Sequence, residues 1–402
     1  MTTTSFFIAL SITIQVLAGY NLVLPLVLYI IYQLKRHRHP APTAAKEWDY
    51  AIIVTAYEQT DTVPAAVNSL LQLDYNNYII YVVADKCDVS NLKFDDERVV
   101  VLRPEETLAS NTRSHFYAIN HFVRQHELLT IIDSDNLADP EYLNELNRSF
   151  NAGFSAVQGV RKAKNLDTTF ACLDAARDIY YHFYDGSVLY HLGSSATLAG
   201  SGMAFTTALY RECLERLDIS GAGFDKVLQN EIVSRGHRIA FNEGAIVYDE
   251  KTSNSEQLVK QRARWINTWF KYCKYGLSLA GAGIRQWDRN KFLFGITLMR
   301  PPLFIFLILS AICLGANVLL GAPGTMAWLA GFACFIAGFA IPVLHPSTDK
   351  RIVRSLVNIP RFMFLQVRSL LLSRGANKLS VATRHYNKTT LSEIKDPGTS
   401  VG

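Results

Sequence analysis

Paired cysteines are the first thing this sequence does without. Its six cysteines are scattered over 402 residues with no short repeated spacing. That excludes a zinc-finger or disulfide framework and leaves reduced thiols as the reading. Internal repeats and low-complexity tracts are also missing. No basic stripe with interleaved aromatics occurs, so the formal net charge of +5 makes no case for nucleic-acid binding. Charge itself is absent from residues 6–34 and nearly absent from residues 292–344.

What fills those stretches is apolar, in a chain that is 49% hydrophobic overall. At about 1.5 Å per helical residue, the first run exceeds a hydrocarbon core of roughly 30 Å. It is too long for a cleaved signal peptide, carries no basic leader, and has no small-residue cleavage site before Lys35. A membrane-spanning helix is therefore expected within residues 1–34. Gly321-Ala322-Pro323-Gly324 divides the second run into residues 301–320 and 326–344, each just long enough to span. A helical hairpin is expected within residues 291–345. The competing reading, a buried hairpin of a soluble domain, would keep a polar face on each helix. Lys35-Arg36-His37-Arg38 follows the first span, and Lys350, Arg351 and Arg354 follow the last. Under the positive-inside rule both clusters are cytoplasmic, which places the N-terminus outside and the central region and tail inside.

Residues 35–48 form a basic linker around His39-Pro40-Ala41-Pro42-Thr43. From 49 to 255 the pattern changes. Apolar runs at 50–56, 78–84, 98–103 and 128–132 alternate with helix-like stretches at 62–73 and 110–125. This is the signature of an α/β domain with a parallel sheet and crossover helices. Further strands are expected at 155–161 and 240–248, and helices at 168–184 and 224–235. Ligands of such sheets bind beyond the carboxyl ends of the strands, where Tyr57, Asp85 and Asp133 fall. Residues 256–290 read as an amphipathic interfacial segment, with Trp265, Trp269, Phe270, Tyr272 and Tyr275 amid Lys271 and Lys274. Residues 346–402 are a basic, amphipathic tail, expected to be loosely ordered beyond about residue 375.

Several acids could carry chemistry. Asp133 and Asp135 flank one residue at a strand end, and two carboxylates so placed repel unless a cation lies between them. Oxygen ligands of this kind suit Mg²⁺ or Mn²⁺. Taken alone, the same string is also an ordinary solvated turn. Asp85 could accept a hydrogen bond from a base or ribose, or cap a helix. Tyr57 could stack on a base, or simply cover the sheet. Asp225 opens a helix-like segment, where it is either a general base or an acid favoured by the helix dipole. Gln261, Arg264 and Trp265 share one helix face, and a guanidinium with an indole suits a diphosphate and a sugar ring.

In this order, these residues resemble the membrane-bound family 2 glycosyltransferases. That group includes cellulose, chitin and hyaluronan synthases and bacterial exopolysaccharide enzymes. Val54-Thr55-Ala56-Tyr57-Glu58 is similar to the family's first nucleotide-binding strand and loop. Val82-Val83-Ala84-Asp85-Lys86-Cys87-Asp88 is similar to the second. Asp133-Ser134-Asp135 matches the metal and diphosphate motif, and Gln261-Arg262-Ala263-Arg264-Trp265 matches the Gln-x-x-Arg-Trp signature. Leu198-Ala199-Gly200-Ser201-Gly202-Met203-Ala204-Phe205 resembles the acceptor-side loop. Two departures stand out. Phe224 occupies the place of the usual Glu in the Glu-Asp pair, while Asp225 is kept, eleven residues before Gly236. Ser114-His115 replaces the usual Gly-Lys, leaving Arg113 or His115 as substitutes for its phosphate contact.

The resemblance implies a GT-A (Rossmann-like) nucleotide-sugar domain flanked by transmembrane helices. It further implies an inverting transfer from a nucleotide-diphosphate sugar, most simply a UDP-sugar. Thr55, Tyr57, Glu58, Asp85 and Asp133 would hold the donor, and Asp135 the Mg²⁺ or Mn²⁺. Asp225 would act as the base. Gly200, Ser201, Gly202, Gln261, Arg264 and Trp265 would grip acceptor and diphosphate. The expected acceptor is a growing polysaccharide at the cytoplasmic face of the membrane, with partner proteins of polysaccharide export. A ceramide-like lipid acceptor is the alternative, and an inactive scaffold of an export assembly is a third reading.

Overall fold

The computed structural model describes residues 3–35, 46–374, 376, 387 and 389–395. The basic run Arg36-His37-Arg38, most of the 35–48 linker and most of the tail beyond 375 lie outside the described residues. The chain opens on helix α1 (Thr3–Leu34). The domain then runs β1 (Tyr50–Tyr57), α2 (Val63–Leu70), β2 (Tyr78–Asp85), β3 (Val99–Leu102), α3 (Asn111–Asn120), β4 (Leu128–Asp133), β5 (Leu137–Ala138), α4 (Tyr142–Asn151), β6 (Ala156–Ala163) and α5 (Thr169–Tyr181). Without a break, α5 passes into a π-helix (His182–Val188) and one last turn, α6 (Leu189–His191). Next come β7 (Met203–Thr206), α7 (Thr207–Leu214), α8 (Phe224–Ser234) and β8 (Ala240–Asp249). The rest is helical: α9 (Ser255–Gln286), α10 (Arg289–Met299), α11 (Leu303–Leu319), α12 (Gly324–Val343), α13 (Lys350–Ser355), α14 (Ile359–Leu371) and α15 (Leu391–Lys395).

Eight strands form one sheet in the order β3-β2-β1-β4-β7-β6-β8-β5. The first four are parallel, as the alternation predicts. The sheet as a whole is mixed, because β7 runs antiparallel between β4 and β6 and β5 pairs antiparallel with β8. β7 reaches its place through the long segment from β6, a connection that strand periodicity does not report. β1 and β2 are almost wholly buried, so they read as continuous apolar runs rather than alternating ones. One face packs Ile52, Val54, Ile80 and Val82 against α2 and α4; the other packs Ile53, Ile131 and Phe205 against α3, α7 and α8.

The helical third is anchored in two ways. Gly276 and Gly283 of α9 face Gly295 and Phe292 of α10 at backbone contact. A Cβ on Gly295 would lie 2.4 Å from the Ala280 nitrogen, and one on Gly283 would lie 2.4 Å from the Phe292 nitrogen. The second anchor ties α1, α11 and α12 together: Gln15 Oε1 accepts from Asn317 Nδ2 at 2.7 Å and from Trp328 Nε1 at 2.8 Å. Within this bundle, Ala9–Leu34 and Gly324–Val343 are long and apolar enough to cross a membrane. The expected first half of the hairpin is shorter than its sequence implies. α11 has 17 residues, and α10 joins it through a 74° bend at Arg300-Pro301-Pro302, so this pair is a third candidate only as one broken span. The π-helix docks on the bundle, with Tyr184 Oη donating to the Gly338 carbonyl at 2.7 Å.

Filling the α9–α10 contact is expected to destabilise the protein. Gly295→Val should cost about 1–3 kcal/mol by overpacking. Gly281→Ala, whose Cβ meets nothing within 4 Å, should be neutral or raise stability by roughly 0.5–1 kcal/mol. Thermal unfolding in detergent compares the two.

Candidate active site

β1 and β2 end level, Tyr57 pairing with Asp85, and β4 ends two residues earlier at the same edge, Asp133 pairing with Thr55. Beyond that edge the backbone turns hard. Glu58 (φ 61°), Lys86 (φ 54°) and Ala109 (φ 47°) all adopt the left-handed region although none is glycine. Such residues cost of order 1–3 kcal/mol each and gather at working sites. Asp85 is buried, and its two carboxylate oxygens accept from the Leu108 and Ala109 N–H groups at 2.9 and 2.7 Å. It thereby pins the loop that enters α3. Thr55, Tyr57 and Asp85 line a cavity of about 770 Å³. Glu58, expected among the donor contacts, does not line it; its exposed carboxylate pairs with Lys86 at 2.7 Å.

At the end of β4 the Asn136 N–H donates to the Asp133 carbonyl at 3.0 Å, closing a turn that leaves Asp133 and Asp135 on the cavity wall. The Glu250 N–H reaches Asp135 Oδ2 at 3.4 Å. Ser201 stands behind this turn. Its fully buried Oγ accepts from the Asp133 N–H at 3.1 Å and donates to Asn136 Oδ1 at 2.6 Å. Gly200 (φ 90°) and Gly202 (φ 66°) allow that reversal, and a side chain on Gly202 would press on Val247 at 2.9 Å. Of the three, only Gly200 lines the cavity; Ser201 and Gly202 lie behind the acidic turn. Two carboxylates on one turn fit Mg²⁺ or Mn²⁺. No compact group of three metal-ligating side chains occurs among the described residues. Further coordination would therefore fall to a diphosphate and water.

Behind the turn lies a buried charge cluster that motif reading missed. Lys251 Nζ bonds Asp178 at 2.5 Å and Asp249 at 2.6 Å. Arg161 lies 3.7 Å from Asp178 and 3.6 Å from Asp249. Arg177 pairs with Asp178 and Asp174, and Arg262 pairs with Asp174. Burial works against the Asp178 carboxylate, but Lys251, Arg177 and Arg161 hold it well below the usual range. Burial also opposes the charge on Arg161, which Asp249, Asp178 and Asp133 more than restore. Arg161 Nε, Arg262 Nε and Nη1, and Gln229 Nε2 are buried without a hydrogen-bond partner, and all three residues line the cavity. The available signal was charge at i, i+3 and i+4 (Asp174, Arg177, Asp178) on an otherwise apolar α5.

Asp225 sits in the first turn of α8 and lines the same cavity. Lys226 Nζ is 3.0 Å from its Oδ2 and also donates to the Leu198 carbonyl at 2.9 Å, tying the acid to the 198–202 loop. Phe224, beside it, is buried in the core cluster, where its ring meets His115 at 5.1 Å. The two departures from the family pattern are thus neighbours. His115 is sealed in, bonded to Tyr210 Oη at 2.7 Å, and desolvation lowers its pKa to about 3. Arg113 pairs with Asp218 at 2.7 Å, and neither Arg113 nor His115 lines the cavity. The lysines and arginines that do line it are Arg161, Arg177, Lys226, Lys251, Arg262, Arg264 and Arg300.

On α9, Gln261 accepts from Thr252 Oγ1 at 3.1 Å, and burial lowers the Arg264 pKa. The guanidinium groups of Arg262 and Arg177 lie 4.1 and 4.4 Å from the Trp265 ring. Arg262, an unspecified position of the signature, is the arginine that anchors this helix to the domain. From Trp265 the cavity continues past the buried Asp185–Arg300 pair to an apolar end formed by Phe304 and Leu307 of α11, Phe335 and Phe339 of α12, and Phe362 and Met363 of α14.

The family described as "Glycosyltransferase like family 2" matches residues 48–268. No curated protein matches the chain significantly. Among solved structures, the mannosyltransferase PcManGT from Pyrobaculum calidifontis, in complex with GDP-Man and Mn²⁺, is similar with a TM-score of 0.58 and 16% identity. That match covers 92% of this chain and 98% of that one. TarS 1–349 of S. aureus matches at a TM-score of 0.40 and 13% identity, over 82% of this chain and 90% of that one. The likeness to PcManGT is one of fold: the nucleotide-sugar domain type called GT-A.

Two outcomes follow from this geometry. Asp174→Asn should destabilise by about 3–5 kcal/mol, because it strips the buried Arg262 of its counter-charge. The paired change Asp174→Leu with Arg262→Met should recover most of that loss in denaturant unfolding. The second concerns pH. Above 6.5, His115 is neutral in both the folded and the unfolded chain; between 6.5 and about 3 only the unfolded chain takes the proton. Stability should fall as pH drops through that window, by about 1.4 kcal/mol per unit at most. His115→Gln should flatten the slope measured by unfolding at a series of pH values.

Proposed function

The chain belongs to glycosyltransferase family 2 and is a glycosyltransferase, and from that premise we propose that it works at a membrane face, moving a sugar from a UDP-sugar to a lipid-linked acceptor with inversion. The observation that carries this reading is the single cavity joining the acidic strand edge to the apolar wall of α11, α12 and α14. An apolar wall inside a polar catalytic cavity is costly to hydrate and complements an apolar ligand. A free polysaccharide, the acceptor that Gln261, Arg264 and Trp265 first bring to mind, has no use for it. Ala9–Leu34, the broken pair Arg289–Met299 with Leu303–Leu319, and Gly324–Val343 would hold the enzyme in the bilayer as three spans, which puts the catalytic domain and Lys350, Arg351 and Arg354 on the same, cytoplasmic side.

In this mechanism Tyr57 covers the base, and Asp85 holds the loop beside it. Thr55, Asp133 and the buried cations behind the acidic turn receive the diphosphate. Arg161 and Arg262 offer unpaired N–H donors there, whose desolvation cost of about 1–3 kcal/mol each is relieved when phosphate oxygens accept. Mg²⁺ or Mn²⁺, held by Asp135 with Asp133, would neutralise charge on the departing diphosphate. The Mn²⁺ named with PcManGT supports that assignment. Lys226 fixes the orientation of Asp225, which takes the proton of the acceptor hydroxyl as that oxygen attacks the anomeric carbon from the face opposite the diphosphate. Gly200 and Trp265 flank the acceptor. Retention of every acid at the strand edge speaks against an inactive scaffold.

Membranes containing the enzyme, given a panel of radiolabelled UDP-sugars with GDP-mannose alongside and Mn²⁺ present, should yield one organic-soluble product. A ladder of lengthening water-soluble products would overturn the lipid acceptor, and absence of nucleotide release across the panel would favour the scaffold. Asp225→Asn should bind nucleotide normally and lose transfer by about 10²–10⁴-fold, the range typical of a general base.

A further inference from the structure

Residues 350–374 contain six cations, Lys350, Arg351, Arg354, Arg361, Arg368 and Arg374, and no acid. That exceeds the net +5 of the whole chain. The cations are ordered. Arg354, Arg361 and Arg368 recur every seventh residue and all are exposed. Three positions further on runs a parallel row of exposed apolar side chains, Val357 (80%), Phe364 (72%) and Leu371 (78%). Arg351 is engaged by Asp349 at 2.8 Å, and Arg361 lies over the Phe170 ring at 5.5 Å while staying exposed. Nothing among the described residues covers the apolar row. The opposite face of α14 is committed: Gln366 and Ser369 are buried, and Phe362 and Met363 line the cavity.

A basic row alongside an apolar ridge, running from α13 through one 3₁₀ turn (Leu356–Asn358) into α14 just after a membrane-length helix, is the arrangement of an in-plane anchor. We propose that α13 and α14 form a binding surface for anionic phospholipid. Phe364 and its row enter the acyl boundary, and Arg354, Arg361 and Arg368 pair with lipid phosphates. Charge complementarity selects an anionic leaflet, and continuity with α12 places the surface at the same bilayer. The inference rests on the membrane placement proposed above, and it puts anionic lipid beside the apolar end of the cavity.

The test uses the full-length protein in vesicles of phosphatidylcholine, without or with about 30 mol % phosphatidylglycerol. A fluorescent dye is attached at Phe364→Cys, in a background where Cys273, Cys313 and Cys334 are serine. Spin-labelled phosphatidylglycerol should quench the dye at least about 5-fold more effectively than spin-labelled phosphatidylcholine, the preference expected of a single arginine near a charged surface. Raising NaCl from about 0.1 M to about 1 M, which shortens the Debye length from about 10 Å to about 3 Å, should remove the preference. R354Q/R361Q/R368Q should lose it, and R354K/R361K/R368K should keep it. Equal quenching by the two lipids in the wild type, or an undiminished preference in the glutamine variant, would overturn the proposal. The readout involves no sugar transfer, so its failure is distinguishable from failure of the proposed reaction.

Discussion

Everything near the acidic edge depends on how seven charges are kept out of water. Arg161, Arg177, Lys251 and Arg262 share three carboxylates, Asp174, Asp178 and Asp249, drawn from α5, β6, the end of β8 and α9. Ions so buried are worth little as net stabilisers, but each becomes costly if its partner moves. The cluster therefore fixes where α9 meets the sheet. It also has one cation more than it has acids, and Asp133 is among the groups that hold the charge of Arg161. The surplus is directed at the place where the strand-edge carboxylates stand, so positive and negative halves of one site are built by the same ion pairs.

The strand edge supplies the complementary constraint. Parallel pairing brings the ends of β1, β2 and β4 to one edge of the sheet, and the left-handed Glu58 and Lys86 turn the chain directly after β1 and β2. Asp85 spends its carboxylate on two backbone N–H groups, and Ser201 spends its hydroxyl on the acidic turn. Both were read as substrate contacts from their positions in motifs. In the fold, Asp85 borders the cavity while holding a loop, and Ser201 acts from behind it.

The same distinction explains what the sequence made legible. Long apolar strands and the acids that end them were readable because burial on both sheet faces and a shared edge leave one-dimensional traces. The position of β7 was not, since an antiparallel insertion depends on the route of a connection. The cluster was legible only in its α5 part, the i, i+3, i+4 charges Asp174, Arg177 and Asp178, because ion pairs between residues as distant as Asp174 and Arg262 leave no spacing to read. Phe224 and His115 each looked like an isolated departure from the family pattern. They are one aromatic contact in the core, and a pair 109 residues apart declares itself only in three dimensions. Arg300 was visible as a charge within an apolar stretch, but its partner Asp185 lies on a π-helix that no periodicity announces.

The α9–α10 hairpin has one more implication. Its helices touch backbone to backbone at Gly276, Gly283 and Gly295, so they cannot slide past each other, and Arg262 fastens the near end to the sheet. The path from Trp265 to the bend at Arg300 is therefore a gauge of fixed length, set by residue count. If the helices around Gln15 span a bilayer as proposed, they could tilt with its thickness, but the gauge could not stretch. On the membrane placement proposed above, the depth at which an acceptor would be met belongs to the protein rather than to the lipid.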